Sequence, residues 1–308
     1  MTAAGRPAPA ASGAHIPGHR TGDGPAPAVM GAEAAWERLL DVRTRQEAAD
    51  AGLFRGEDGA WRWRQPASAE ADTLAGLYTP LCLGGPDLAF AQLGQSIDGF
   101  IATRTGHSNF VTGEEDRLHL HRLRALSDAV LVGAGTTIAD DPQLTVRACS
   151  GADPVRVVLD PRGRAGRERP RARVFTDGRA PTLRLVGAGE PGDGAPAPVH
   201  GDEEVLELPC GEAGFEPRLI LEALARRGLG RVLVEGGGAT VSGFLRAEVL
   251  HRLYVTVAPV LLGDGVPGLR FPGPVRMGEA LRPRTRAFPL GADMLFELDL
   301  VGGLDGTA

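Results

Sequence analysis

Three short stretches carry residue types able to hold a phosphorylated ligand. The first, Val232-Leu233-Val234-Glu235-Gly236-Gly237-Gly238-Ala239, is an apolar run closed by an acid and three glycines. A strand passing through glycines into a helix aims backbone N–H groups at the positive helix end, where a phosphate can approach without a side chain in the way. A tight turn that binds nothing has the same sequence, so this motif alone divides the two readings evenly. The second stretch, Val132-Gly133-Ala134-Gly135-Thr136, repeats the strand-to-glycine pattern. On neighbouring strands the two junctions can grip a dinucleotide pyrophosphate. Neither has the G-x-G-x-x-G fingerprint, which counts against an ordinary Rossmann dehydrogenase. The third, Ala139-Asp140-Asp141-Pro142-Gln143-Leu144-Thr145-Val146-Arg147, joins two acids to an arginine across Pro142. The proline drives the residue before it out of helix geometry, so the acids are expected on a rigid loop. Arg147 and the upstream Arg124 each offer a bidentate fork for a phosphate, although singly each reads more readily as a solvated surface charge. Asp98, Asp140 and water are the candidate proton donors.

Composition narrows the chemistry. All 33 basic residues are arginine. Without lysine there is no Schiff-base catalysis and no Walker lysine for a nucleotide's terminal phosphates. A net charge of −6 argues against a nucleic-acid or membrane-surface binder. Cys82, Cys149 and Cys210 are far apart and odd in number, suggesting neither a disulfide framework nor a thiolate zinc site. His119 and His121, two apart on a helix, do not share a face as zinc ligands would. No signal core or long apolar span is evident, so a cytoplasmic chain with no membrane segment is expected.

The elements that must position these residues alternate along the chain. Residues 1–30 read as an Ala/Pro/Gly-rich disordered tail and 31–85 as a helical appendage, with one amphipathic helix over Ala32–Ala49 and no clear period from Gly52 to Leu83. From residue 86 to 308 strand and helix patterns alternate. Strands are expected at Leu88–Leu93, Ala129–Val132, Val155–Leu159, near Val174 and Leu183, and at Arg231–Val234. Helices are expected from a Thr112/Glu115 capping box, at Leu219–Arg226 and at Ala239–Leu245. Residues 187–203 read as a loop and the basic stretch 162–173 as an exposed linker that could reach an adenosine 2′-phosphate. Leu253–Leu262 and Met294–Leu300 read as closing antiparallel edge strands. The pattern specifies an α/β fold, a mostly parallel central sheet with helices on both faces.

The run SIDGFIAT…GHSNFVT…HRLRALSDAVLVGAGTTIADDPQLTVR, followed by VLVEGGGATVSGFL and LYVTVAPVLLG, resembles the reductase domain of the bacterial riboflavin-pathway bifunctional deaminase-reductase over roughly residues 86–302. The resemblance implies a dihydrofolate reductase-like fold, a homodimer, NADPH as cofactor, and reduction of the ribose of a phosphoribosylamino-pyrimidine to a ribityl chain. It places Gly94, Phe110 (where tryptophan is common), Gly133, Thr136, Asp140, Gly237, Gly238, Ala239 and Thr240 at the cofactor. Ser108, Arg124, Leu144, Arg147 and Glu235 fall at the phosphosugar-pyrimidine substrate, with Glu235, Asp140 and Gln92 nearest the chemistry. The family's H-x-E and P-C-x-x-C deaminase motifs are absent from these 308 residues, so deamination is not expected. Gln92 stands where bacterial members usually have lysine and archaeal and fungal relatives an amide. Two other functions fit the residues: a paralogous reductase of a related pterin or pyrimidine, and a non-catalytic nucleotide-binding protein.

Overall fold

The computed structural model describes residues 28–108, 111–189 and 203–301. Phe110, nearly all of the tail and most of the loop expected at 187–203 lie outside the described residues. The first layer comprises α1 (Ala32–Leu40), α2 (Arg45–Asp50), a hairpin of β1 (Leu53–Arg55) and β2 (Trp61–Trp63), and α3 (Ala69–Cys82). The single helix expected over Ala32–Ala49 is therefore two. Thr44 accepts from the Glu47 amide and Glu47 accepts from the Thr44 amide, a reciprocal cap that restarts the chain inside helix-forming composition. The stretch without a clear period resolves into the hairpin and a 14-residue helix capped by Ser68.

The second part continues through β3 (Leu88–Ser96), β4 (Phe100–Thr103), α4 (Glu114–Ala125), β5 (Ala129–Gly133), α5 (Ala134–Asp140), β6 (Val155–Asp160), α6 (Arg164–Glu168), α7 (Arg173–Thr176) and β7 (Thr182–Gly187). After the undescribed loop come β8 (Glu203–Leu208), β9 (Cys210–Gly211), β10 (Gly214–Phe215), α8 (Pro217–Ala225), β11 (Arg231–Glu235), α9 (Gly238–Arg246) and β12 (Arg252–Ala258). β13 (Gly265–Pro267), β14 (Arg284–Leu290) and β15 (Asp293–Asp299) close the chain. One sheet of nine strands runs β14-β15-β12-β3-β11-β5-β6-β7-β8. Pairings from β12 across to β8 are parallel, and β15 and β14 add antiparallel strands at one edge. The expected α/β sheet is present and Met294–Leu300 supplies an antiparallel strand, β15, near its edge. Leu253–Leu262, expected as a second such strand, instead supplies β12, an interior strand parallel to β3. β14 had no counterpart in the sequence reading because the exposed Arg284 and Pro289 and the half-buried Arg286 dilute the apolar signal.

The period of two along each central strand divides the core. Leu88, Phe90, Val130, Val132 and Leu233 face one side with α1, α3 and α4; Ala89, Ala91, Leu131, Val232 and Val234 face the other with α8 and α9. Residues 31–85 thus share a core layer with the sheet. Trp36, Leu39, Leu77 and Leu81 are buried there, each contributing about 1.5–3 kcal/mol. Polar ties reinforce the contact: Trp36 Nε1 donates to Ser150 O at 2.9 Å, Arg286 Nη1 to Gly76 O at 2.7 Å, and Arg231 Nη2 to Leu81 O at 2.9 Å at the end of α3.

Two local expectations are corrected. Val174 lies in the short helix α7, where its burial under the sheet rather than a strand pattern explains its apolar type. The capping box at Thr112/Glu115 does not form: α4 begins at Glu114 behind Gly113, whose amide donates to the Asp293 carboxylate at 2.7 Å. Thr112 is instead turned against Gly94, where an added Cβ would meet its methyl at 2.8 Å.

Candidate active site

β11 leaves the outer strands and returns to lie between β3 and β5. That reversal opens a crevice at the carboxyl ends of the three strands, the place where open α/β sheets bind ligands. A cleft of about 320 Å³ occupies it, lined by Gln92, Gly94, Ser108, Thr136, Asp140, Leu144, Glu235 and Gly237 among others. These eight were named from sequence and are spread from Gln92 to Gly237, yet they line one cleft. Gly133, Ala239 and Thr240 line a second cleft of about 510 Å³ that flanks the same two glycine junctions. Gly238 faces neither cleft.

The junctions are neighbours, as expected, because β11 pairs in parallel with β5. They are tied together where Gly237 N donates to Thr136 Oγ1 at 3.1 Å. Gly236 has φ +152, a backbone state that L side chains rarely adopt. Gly238 is needed for a different reason: a Cβ there would stand 1.7 Å from the Gly268 carbonyl oxygen. A Cβ on Gly133 would meet Thr240 Oγ1 at 2.9 Å, so this rim also has no room for side chains. Bare backbone at the start of α9, with Gly237 on the first cleft and Ala239 and Thr240 on the second, suits the phosphates of a nucleotide cofactor.

Arg124 and Glu235 form the strongest polar contact of the site. Arg124 Nε donates to Glu235 Oε2 at 2.8 Å, its Nη2 donates to Oε1, and its Nη1 donates to the Thr145 carbonyl at 3.0 Å. Both side chains are largely buried. The Arg124 fork is thus filled by protein, and its charge is neutralised within the wall. Arg147 differs: it is exposed, and among the described residues its guanidinium reaches only Thr145 Oγ1, at 3.4 Å. Partial burial, then the charges of Arg124 and Arg173, push its guanidinium below the usual arginine range. A cation crowded by cations is primed to gain an anion. His121, whose Nδ1 accepts from the Arg147 amide at 3.3 Å, is lowered to about 4 by burial and by Arg124 and Arg147, and is neutral at pH 7.

The 139–147 loop supplies strain as well as charge. Asp141 and Leu144 both have left-handed backbones, with φ 48 and φ 57. For a bulky residue such as Leu144 this costs about 1–2 kcal/mol and persists where the surroundings hold it in place. Pro142 accounts for Asp141 leaving the helix, but Asp140 remains the last residue of α5 rather than a loop residue. Its carboxyl is raised by burial at the cleft rim. Asp98 is not at this cleft: it accepts from Ser96 Oγ at 2.5 Å and from the Gly263 amide at 2.7 Å. Those bonds hold it below the usual carboxylate range, the opposite of what a proton donor requires. The 162–173 stretch, expected as a linker, carries the short helix α6 and ends where α7 begins.

One site residue was missed. Asp116, buried on the first turn of α4, accepts from Thr256 Oγ1 at 2.5 Å and from Gln92 Nε2 at 3.2 Å, and lines the cleft. Burial raises its carboxyl, Thr256 and Thr112 pull it back, and Asp293 adds to the rise. The available signal was spacing: Asp116 shares the inward stripe with His119 and Leu123, and an acid on a buried stripe needs partners.

Comparison with known proteins agrees with this geometry. The chain is 35% identical over 213 residues to a 2,5-diamino-6-ribosylamino-4(3H)-pyrimidinone 5′-phosphate reductase of Methanothermobacter thermautotrophicus, covering 67% of this chain and 95% of that one. It is 36% identical over 208 residues to the riboflavin biosynthesis protein RibD of Mycobacterium tuberculosis, covering 66% of this chain and 51% of that one. The chain therefore spans about half the length of such RibD relatives. Among solved structures, RibD of Acinetobacter baumannii superposes with a TM-score of 0.58 at 24% identity over 82% of this chain and 67% of that chain. The riboflavin biosynthesis reductase of Saccharomyces cerevisiae superposes at 0.52 with 20% identity over 69% and 89%. These likenesses establish the dihydrofolate reductase-like α/β fold. The family model for the RibD C-terminal domain matches residues 89–284, the span that carries the parallel part of the sheet, both glycine junctions and the cleft, and the chain belongs to that family of riboflavin-pathway pyrimidine reductases.

Proposed function

We propose that this protein is an NADPH-dependent reductase that converts the ribose of a 5-amino-6-(5-phosphoribosylamino)pyrimidine to a ribityl chain. The observation that carries the reading is the single cleft joining the paired glycine junctions to the Arg124–Glu235 wall at the carboxyl ends of β3, β5 and β11. Gly94, Thr136, Asp140 and Gly237 would hold the nicotinamide half of the dinucleotide, and Gly133, Ala239 and Thr240 its phosphates and far half, with Gly238 packed against Gly268 so that the start of α9 keeps its place. When bound, the cofactor supplies the hydride for the sugar's first carbon.

The chain's own residues do the rest. Arg147 binds the sugar phosphate, since its fork is open while that of Arg124 is filled. Arg124 instead fixes the Glu235 carboxylate against the cleft, where it accepts from hydroxyls of the opened sugar. Ser108 and Leu144 shape the wall, and Asp140, with its raised carboxyl at the rim, is the residue best placed to hold a proton. A homodimer in the cytoplasm, acting on a small phosphosugar-pyrimidine rather than on nucleic acid or membrane, completes the reading. Among the described residues no helix is long and apolar enough to cross a membrane.

The test mixes purified protein and NADPH with the aminated or the deaminated phosphoribosylaminopyrimidine and follows the nicotinamide absorbance band. Oxidation with one of the two is the expected result. No oxidation with either refutes the assignment, and turnover of a dihydropterin instead would favour the paralogous reading.

A further inference from the structure

Beneath the cleft floor lies a polar knot that the proposed roles do not use. Gln92 on β3, Thr256 on β12 and Asp116 on α4 are each buried, and they meet because Gln92 and Thr256 project from paired parallel strands. Thr256 Oγ1 donates to Asp116 Oδ1 at 2.5 Å, and Gln92 Nε2 donates to Oδ1 at 3.2 Å and to Oδ2 at 3.3 Å. Asp116 accepts from the Thr256 hydroxyl at Oδ1 and from Gln92 Nε2 at both oxygens, so the nitrogen end of the Gln92 amide is the end that faces it. The oxygen end then points the other way. Among the described residues no donor reaches Gln92 Oε1, yet that atom is not sealed from solvent, and the side chain lines the cleft.

We propose that Asp116 is a positioning residue: with Thr256 it pins the Gln92 carboxamide nitrogen-inward, so that Gln92 Oε1 is presented to the cleft as a fixed acceptor for an O–H or N–H of the sugar being reduced. The identity of that ligand rests on the reductase reading; the pinning of the amide does not. Without Asp116 a carboxamide can invert, offering the cleft a donor half of the time and an acceptor the other half. A preset acceptor also discriminates, because a ligand lacking the matching donor leaves a buried oxygen unpaired. The neighbourhood leaves little slack for the knot to rearrange, since a Cβ at Gly94 would lie 3.3 Å from Asp116 Oδ2.

The test is a double-mutant cycle with two readouts. Asp116→Asn, Gln92→Leu and the double variant are compared by kcat/KM for the phosphoribosylaminopyrimidine and by NADPH affinity from fluorescence titration. Asp116→Asn is expected to lower kcat/KM about tenfold in the native background and less than about twofold in the Gln92→Leu background, with NADPH affinity unchanged. Thr256→Val, which frees the same carboxylate from a different strand, moves kcat/KM the same way and stands in if Asp116→Asn does not fold. The second readout needs no substrate: the Gln92 side-chain NH2 signals, identified by their loss in Gln92→Leu, are expected to shift and exchange faster with solvent in Asp116→Asn and in Thr256→Val. Equal penalties in both backgrounds, or NH2 signals indifferent to Asp116, would overturn the proposal. If the native enzyme oxidises NADPH with no pyrimidine while the NH2 signals still depend on Asp116, the amide pinning stands and the substrate assignment falls.

Discussion

Replacing Glu235 with alanine removes the acceptor of two charge-assisted hydrogen bonds and strands the Arg124 guanidinium, 6% exposed, with only the Thr145 carbonyl. Breaking a buried ion pair from one side costs about 3–5 kcal/mol, because the surviving charge keeps its desolvation penalty without its partner. For a domain whose whole stability is about 5–15 kcal/mol, that is a large share. Arg124→Leu should cost somewhat less, since Glu235 borders the cleft and can recover water. Arg124→Leu/Glu235→Leu removes both charges and fills the space with apolar atoms, so its cost should fall short of the sum of the single variants by about 2–4 kcal/mol. Urea unfolding at equilibrium measures all three. The coupling should persist between about 0.1 and 1 M salt, because screening acts weakly on a pair this buried. Stability would return in the double variant while reductase activity would not, separating the structural half of the pair from its contact with substrate. Additivity within about 0.5 kcal/mol would refute the argument that the pair is a single unit.

Other consequences follow from the same geometry. Arg147→Ala should raise KM for the phosphorylated substrate by about 10- to 100-fold while leaving NADPH affinity unchanged, as steady-state kinetics and a cofactor titration would show; an unchanged KM removes Arg147 from the phosphate site. Gly238→Ala places a methyl where the Gly268 carbonyl already stands, so weaker NADPH binding and a loss of about 1–3 kcal/mol in urea unfolding are expected, and native behaviour in both would disprove the close approach. His119 is fully buried with Nδ1 2.6 Å from the Tyr78 hydroxyl, and burial lowers it to about 3. Its folded value lies below the unfolded value of about 6.5, so its contribution is present above pH 6.5 and is lost as pH falls toward 3, by about 1.4 kcal/mol per unit in that window. His119→Phe should flatten the acid limb of a stability–pH curve by that slope, and an unaltered limb would show the histidine to be solvated.

Local grammar made much of this protein legible before any coordinates. Short apolar runs such as Ala129–Val132 are read as buried parallel strands because both of their faces must be covered, and glycines at a strand's end announce backbone that a ligand or another chain segment approaches. The two glycine junctions and the acid at the end of β11 were found in this way, and Pro142 marked the turn in the 139–147 stretch, whose left-handed Asp141 and Leu144 only the structure shows. Local signals failed where a distant partner decides the outcome. Thr112 has the spacing of a cap, but Asp293, 180 residues away, takes the Gly113 amide instead. The break between α1 and α2 required weighing one capping box against a long run of helix-forming residues.

The site divides along the same line. Residue type and order alone determined the fold class and the phosphate-suited backbone, because these depend on periods of two and 3.6 and on where glycine is tolerated. Cleft residues such as Ser108 and Leu144 were placed by the family resemblance, and Asp116 by neither. Only the tertiary structure decided which charges are spent. Arg124 and Arg147 are equivalent forks in sequence, yet folding brings Glu235 to Arg124 across 111 residues and leaves Arg147 open, so one arginine becomes wall and the other a phosphate grip. The same is true of Gln92: its amide could face either way until β12 and α4 converge on it with a hydroxyl and a carboxylate. A charge or an amide acquires its direction from what is packed against it, and that packing joins residues whose separation along the chain carries no local signal.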